Sequence, residues 1–168
     1  MKMRVQGTLL MVPLFSFVLF GCSANEPKIS AESNQAASLT GDLPENPLQW
    51  RVISSSIDPA ASTMSTLYGN DTAIGYARTN AQHDYPAGAV LALVTWTQTE
   101  DLRWFGAKLP AQAKSVEFVT VAQTTPVQRS YFYQKFEGTP LKQSSTEQGT
   151  TPTERAVYLL SQRAAVMP

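Results

Sequence analysis

The stretch Tyr85-Pro86-Ala87-Gly88-Ala89-Val90-Leu91-Ala92-Leu93-Val94-Thr95-Trp96 decides how the rest of the chain is read. Pro86-Ala87-Gly88 is a turn, because proline presets φ at a turn corner and glycine tolerates positive φ. Ala89 to Trp96 then forms a nearly continuous apolar run broken only by Thr95. A run of that length bounded by turn residues fits a strand buried on both faces, which makes it the centre of a sheet.

Working outward, Trp50-Arg51-Val52-Ile53 and Thr63 to Tyr68 read as shorter strands ahead of it. Asn70 or Asp71 can cap a helix in which Ile74, Ala77 and Ala81 recur at helical spacing. On the C-terminal side, Ser115 to Val121 alternates Val116, Phe118 and Thr120 against Glu117, Val119 and Val121. Ser130 to Phe136 sets Tyr131 and Tyr133 against Phe132 and Phe136. Both read as antiparallel strands with one better face for the core. Thr151-Pro152-Thr153-Glu154 is a capping box with proline at the first helical position, and Val157, Leu160 and Ala164 mark a buried stripe beyond it. The expected class is α+β, an antiparallel sheet of about five strands with two helices, in one domain spanning 47–168.

The N-terminus carries a different signal. Lys2 and Arg4 precede an apolar run from Thr8 to Phe20, 13 residues long. A bilayer-spanning helix needs about 20 apolar residues, so the run has the proportions of a secretory signal instead. Leu19-Phe20-Gly21-Cys22 closes it and resembles the bacterial lipoprotein box. That chemistry needs a small residue before the scissile bond, Gly21, and a thiol to carry the lipid, Cys22. Residues 1–21 are thus expected to be a signal peptide, with Cys22 lipidated at the head of a tether over 22–46. Loss of the first 21 residues leaves 147, and removal of Lys2 and Arg4 leaves 11 basic against 13 acidic residues, a net charge of −2. Two or more fatty acyl chains such as palmitate anchor stably where one is marginal. By analogy with enterobacterial lipoproteins, Ser23 after the cysteine points to the outer membrane. Ser23 to Asn46 holds only Ile29, Leu39 and Leu43 as large apolar residues, too few to offset its ordering entropy.

Composition excludes several functions. The 168 residues hold 13 basic and 13 acidic side chains, without the basic excess of a nucleic-acid binder. One Cys excludes an intrachain disulfide, a Cys-rich zinc site and covalent haem through C-x-x-C-H; one His excludes two-His metal motifs. The chain has no G-x-S-x-G elbow and no glycine-rich phosphate loop. His83, beside Asp84, is the single imidazole available as a base or haem ligand, although a solvated surface histidine is the simpler reading. Glu100-Asp101 reads as a solvated polar pair. Trp96, Trp104 and Phe105 cluster around a loop from Thr97 to Pro110, and with His83 and Leu93 they form the candidate pocket; alternatively they only fill a small core.

Leu67-Tyr68-Gly69-Asn70-Asp71, Tyr85 to Val90 and Trp104-Phe105-Gly106-Ala107 together resemble the cytochrome P-460 family. Trp50 and the closing Gln162 to Pro168 also resemble members without the haem motif. The resemblance implies a mostly β fold, commonly homodimeric and periplasmic, whose haem-bearing members oxidise hydroxylamine or bind small nitrogen oxides. Those members hold haem through C-x-x-C-H after the last aromatic strand and cross-link it to a lysine. Here Gly138 to Glu154 contains no Cys or His, and the lysine position falls on Leu93. The chain is therefore expected to have no covalent haem, no catalytic residues and no metal.

The reading that follows is a haem-free cytochrome P-460-like domain. It is lipid-anchored in the cell envelope, faces the periplasm and acts as a binding or interaction module. A non-covalent haem enzyme or sensor of small nitrogen compounds using His83 is the alternative, and an envelope lipoprotein without a small ligand a third. Loss of haem would leave a cavity on the order of several hundred Å³, to be filled by side chains such as Leu93 or by another apolar ligand.

Overall fold

A computed structural model describes residues 35–79, 84–102, 104–123, 129–144 and 151–165. The apolar run lies within strand β3 (Val90–Glu100), flanked by β2 (Thr63–Gly69) and β4 (Lys108–Gln123). β1 (Arg51–Asp58) lies outside β2, while β5 (Arg129–Glu137) and the two-residue β6 (Lys142–Gln143) follow β4. Every pairing is antiparallel, so the described strands form a six-stranded meander in chain order. Helix α1 (Asp71–Thr79) links β2 to β3, and α2 (Pro152–Ser161) follows β6.

β3 is central because both of its faces are covered. Leu91, Ala92, Leu93 and Val94 are all buried. Period-two alternation sends Leu91 and Leu93 to one side, with Ile53, Leu67, Val119, Val121 and the helices. Ala92, Val94 and Trp96 go to the other, with Val116, Phe118 and Phe136. The sheet is thus the middle of three layers.

The third layer departs from the expected tether over residues 35–46, while the tether's residues 22–34 lie outside the described ones. From Gln35 the chain lies on the sheet as a strap: Ala37 is buried, Leu39 and Leu43 pack against the Val94–Phe118 cluster, and the Trp96 indole N–H donates to the Ala37 carbonyl at 2.9 Å. Gly41 bridges Leu141 in parallel, with φ +140°, and a Cβ there would overlap the Leu141 carbonyl. Asn46 caps a short 3-10 turn at Pro47–Gln49 that turns the strap into β1. Trp50 meets Phe118 edge-on, with ring centroids 6.2 Å apart.

Other details depart from the sequence pattern. β4 starts at Lys108, ahead of the expected Ser115, and turns the supposed loop from Thr97 to Pro110 into the outer part of a long hairpin. Pro110 is tolerated because pairing is irregular between Thr95 and Gln98, where the ladder is already interrupted. On α2 the buried stripe is Ala156, Leu159 and Leu160; Val157 is half exposed. Arg155, Leu159, Ala156 and Leu160 share about 140° of helical arc, which turns Val157 outward. Ala164 lies past the helix end but still packs on that core. The next amide, Ala165 N–H, donates to Ile53 O at 2.7 Å.

Both expected helix starts are present. Thr151 and Glu154 exchange capping-box bonds. Asn70, rather than Asp71, caps α1: its Oδ1 accepts from Ala73 N–H at 3.0 Å and from Val90 N–H at 3.2 Å, while its Nδ2 donates to Gly88 O at 2.9 Å. One side chain thus joins the helix, the turn before β3 and the first residue of β3. Of the α1 stripe, Ile74 is buried and Ala77 partly so, while Ala81 lies outside the described residues.

Asn70→Ala removes a cap and the amide's other bonds, so it should cost about 2 kcal/mol in urea unfolding. Asn70→Asp retains the two accepting contacts and should cost about half as much.

Candidate functional site

Glu117 is the one charged residue among the described buried ones. It sits mid-β4 on the helix-covered face, in register with Leu93 on β3 and, beyond it, Leu67 on β2. Its carboxylate meets Arg155 of α2 fork to fork: Nε donates to Oε2 at 2.8 Å and Nη2 to Oε1 at 2.7 Å. Tyr133 of β5 donates its hydroxyl to Oε2 at 2.7 Å. The Arg155 guanidinium also lies 4.8 Å from the Tyr158 ring centroid.

Three elements therefore converge on one carboxylate, and the electrostatics follow from that contact. The hydrogen bonds from Arg155 to Glu117 hold the guanidinium above its already high ordinary value. Burial, reinforced by the neighbouring carboxylate, pushes the Tyr133 phenol well up. Both carboxylate oxygens are occupied, and the tyrosine is held protonated. The arrangement lacks a spare base or nucleophile and acts as a lock between helix and sheet. On the same face, burial pushes the Tyr85 phenol up to about 12; its ring lies 5.1 Å from that of Tyr76.

The expected pocket residues do not come together. Leu93 faces the helices, whereas Trp96 faces the strap. Trp104 and Phe105 stand exposed on the turn between β3 and β4. His83, Gly21 and Cys22 lie outside the described residues. Asp84 N–H donates to the Tyr76 hydroxyl at 3.1 Å. Glu100 is exposed, as expected of a solvated residue, and also pairs with Lys108 Nζ at 2.7 Å.

A cavity of about 330 Å³ lies elsewhere, between the strap, β4 and the turn joining β5 to β6. Gln35, Ser38, Thr40, Gln112, Thr139 and Leu141 form much of its wall. Two of these lining residues are bonded to each other, Gln112 Nε2 donating to Thr139 Oγ1 at 2.7 Å. Its lining offers amides and hydroxyls but no ionisable side chain. Such a wall can hydrogen-bond an uncharged polar molecule and cannot activate a nucleophile. Part of that wall comes from the segment expected to be a tether, so composition gave no sign of it. Among the described residues no cluster of three His, Cys, Asp or Glu could hold a metal, and no helix is long and apolar enough to cross a membrane.

The model of one protein family, cytochrome P-460, matches residues 44–154, well over half of the chain. The match runs from within the strap to the first turn of α2 and includes Leu93, Glu117 and Tyr133. No curated protein matches the chain.

Arg155→Ala leaves a carboxylate buried without its partner and should cost about 3 kcal/mol in chemical denaturation; Tyr133→Phe should cost about 1 kcal/mol. The double change Glu117→Leu with Arg155→Met should recover most of the loss, since a packed apolar pair replaces a buried ion pair at little cost. Raised folded-state values at Tyr85 and Tyr133 mean stability that is complete below pH 10.0 and lost as pH climbs through those values. Burial also pushes the Tyr68 phenol up, so tyrosinate absorbance should show Tyr68, Tyr85 and Tyr133 ionising above the ordinary tyrosine value, together with loss of the circular dichroism of the sheet.

Proposed function

The chain belongs to the cytochrome P-460 family, and from that premise we propose that it is a haem-free member acting as a binding or interaction module. The observation that carries the reading is the packing at Leu93. This residue stands where the resemblance puts the cross-linking lysine, and it is only 9 % exposed in the core between β2, β4 and the helices. Its register neighbour Glu117 is committed to Arg155 and Tyr133. The described residues around it contain no thiol or imidazole to hold an iron, and the segment Gly138 to Glu154 has neither Cys nor His. The donor set does not fit haem.

Binding then falls to the neutral cavity beside the strap, whose size suits a small uncharged polar molecule or a short polar side chain of a partner. The N-terminal run and Cys22 support attachment to a bacterial membrane through lipid, with the domain facing the periplasm and the outer membrane as destination. Ser23 after the cysteine supports that destination.

The test uses the full chain expressed in a bacterial host supplied with haem and purified from the envelope fraction. The expected results are no Soret band, no pyridine haemochrome and a mature N-terminus that begins at an acylated Cys22. A stoichiometric Soret band lost in His83→Ala would replace this reading with the haem-binding one. A chain with unmodified Cys22 would remove the anchor.

A further inference from the structure

Three side chains at one end of the sheet have no place in the core: Leu102, Trp104 and Phe105 are 100 %, 70 % and 110 % exposed. They lie on the loop from Asp101 to Ala107 that joins β3 to β4. Trp104 N–H donates to Asp101 O at 3.3 Å, Ala107 N–H to Trp104 O at 3.0 Å, and Asp101 N–H to Ala107 O at 3.0 Å. The loop is therefore two successive turns, with Gly106 at φ +78° and the Lys108–Glu100 ion pair across its base.

The same end receives the strap. Because the meander alternates, its β1–β2, β3–β4 and β5–β6 turns share one end of the sheet. The Ala37 carbonyl is bonded to Trp96, and Gln35 and Ser38 line the cavity with Gln112 and Thr139, at this end of β4 and in the β5–β6 turn. From Trp96 to Glu100 is four residues, about 13 Å of strand. Cys22 precedes Gln35 by thirteen residues, a reach of at most about 45 Å.

We propose that the exposed side chains of Leu102, Trp104 and Phe105 dock into the interfacial layer of the membrane that holds the chain's own lipid anchor; this rests on acylation of Cys22. The tether's attachment brings that end of the domain within reach of the bilayer, where Trp sits at the headgroup level and Leu and Phe bury into the headgroup–acyl boundary. A stable protein interface needs about 800 Å² per partner, more than three side chains on a protruding turn supply. Docking would also orient the neutral cavity toward the membrane-facing end of the domain.

The experiment uses the full acylated chain in phosphatidylethanolamine–phosphatidylglycerol vesicles, with or without bromine on the acyl chains. Of the three tryptophans, Trp96 is buried and Trp50 packs in the core, so Trp104 is the one able to meet lipid. Brominated lipid should quench the native chain, and Trp104→Tyr should lose that quenching. Leu102→Ser with Phe105→Ser should weaken it while leaving the circular dichroism unchanged. No quenching in the vesicle-bound native chain, or equal quenching in Trp104→Tyr, overturns the proposal. Acylation is read separately from the mass of the N-terminal peptide. An acylated but unquenched chain removes the tip and keeps the anchor, a quenched but unacylated chain does the reverse, and failure of both removes both.

Discussion

The Glu117 carboxylate sets the terms for one whole face of the domain. A charge in the middle of a sheet face is costly unless it is paired, and the pairing here is supplied by a helix far along the chain. Arg155 reaches Glu117 only if α2 sits at one rotation and one height above β4 and β5. That rotation turns Ala156, Leu159 and Leu160 onto the core and leaves Val157 and Tyr158 outside. Apolar contacts alone would allow the helix to slide or roll by part of a turn. The forked bond, with Tyr133 closing the remaining direction, gives the helix a register.

The opposite face is held by different means. Among the described residues no helix covers it; the strap does, with few apolar residues of its own. Its attachment depends on the Trp96 indole bond to Ala37 O and on backbone pairing between Gly41 and Leu141. Main-chain bonds let a polar segment dock where its side chains could not bury enough area to hold it. A cover of this kind is less tightly packed than a helix, and the neutral cavity lies along its margin. Rigidity on the helix side and an open seam on the strap side are two outcomes of the same six-stranded sheet.

Features whose causes are local were legible in the sequence. The turn before Ala89, the capping box at Thr151 and the alternation through Glu117 and Tyr133 each rest on neighbours a few residues apart. The α+β class follows from them. Less legible were features whose partners are distant. Ser23 to Asn46 has a disordered composition, yet Ala37, Leu39 and Leu43 find sites on strands more than forty residues away. Val157 and Ala156 both fit a helical period, and only the demand of Arg155 for Glu117 chooses between them. Trp96, Trp104 and Phe105 are close in sequence, but a strand moves successive side chains along its length and to alternating faces, so nearness in sequence did not make a pocket.

Leu93 and Glu117 stand side by side in one row of the helix-covered face. A lysine at that position would bring another cation to the row holding Glu117, already paired with Arg155. A leucine lets Leu67, Leu93 and Val119 close over the strand, and the carboxylate remains available to the helix. The face that carries Leu93 is thereby part of the structural core. Features that can meet another molecule, the amide-lined cavity and the aromatic turn, lie at the far end of the hairpins, where the strap joins. With one face of the sheet closed by side chains and a helix, the turn end and the strap margin are the parts of the described domain left open.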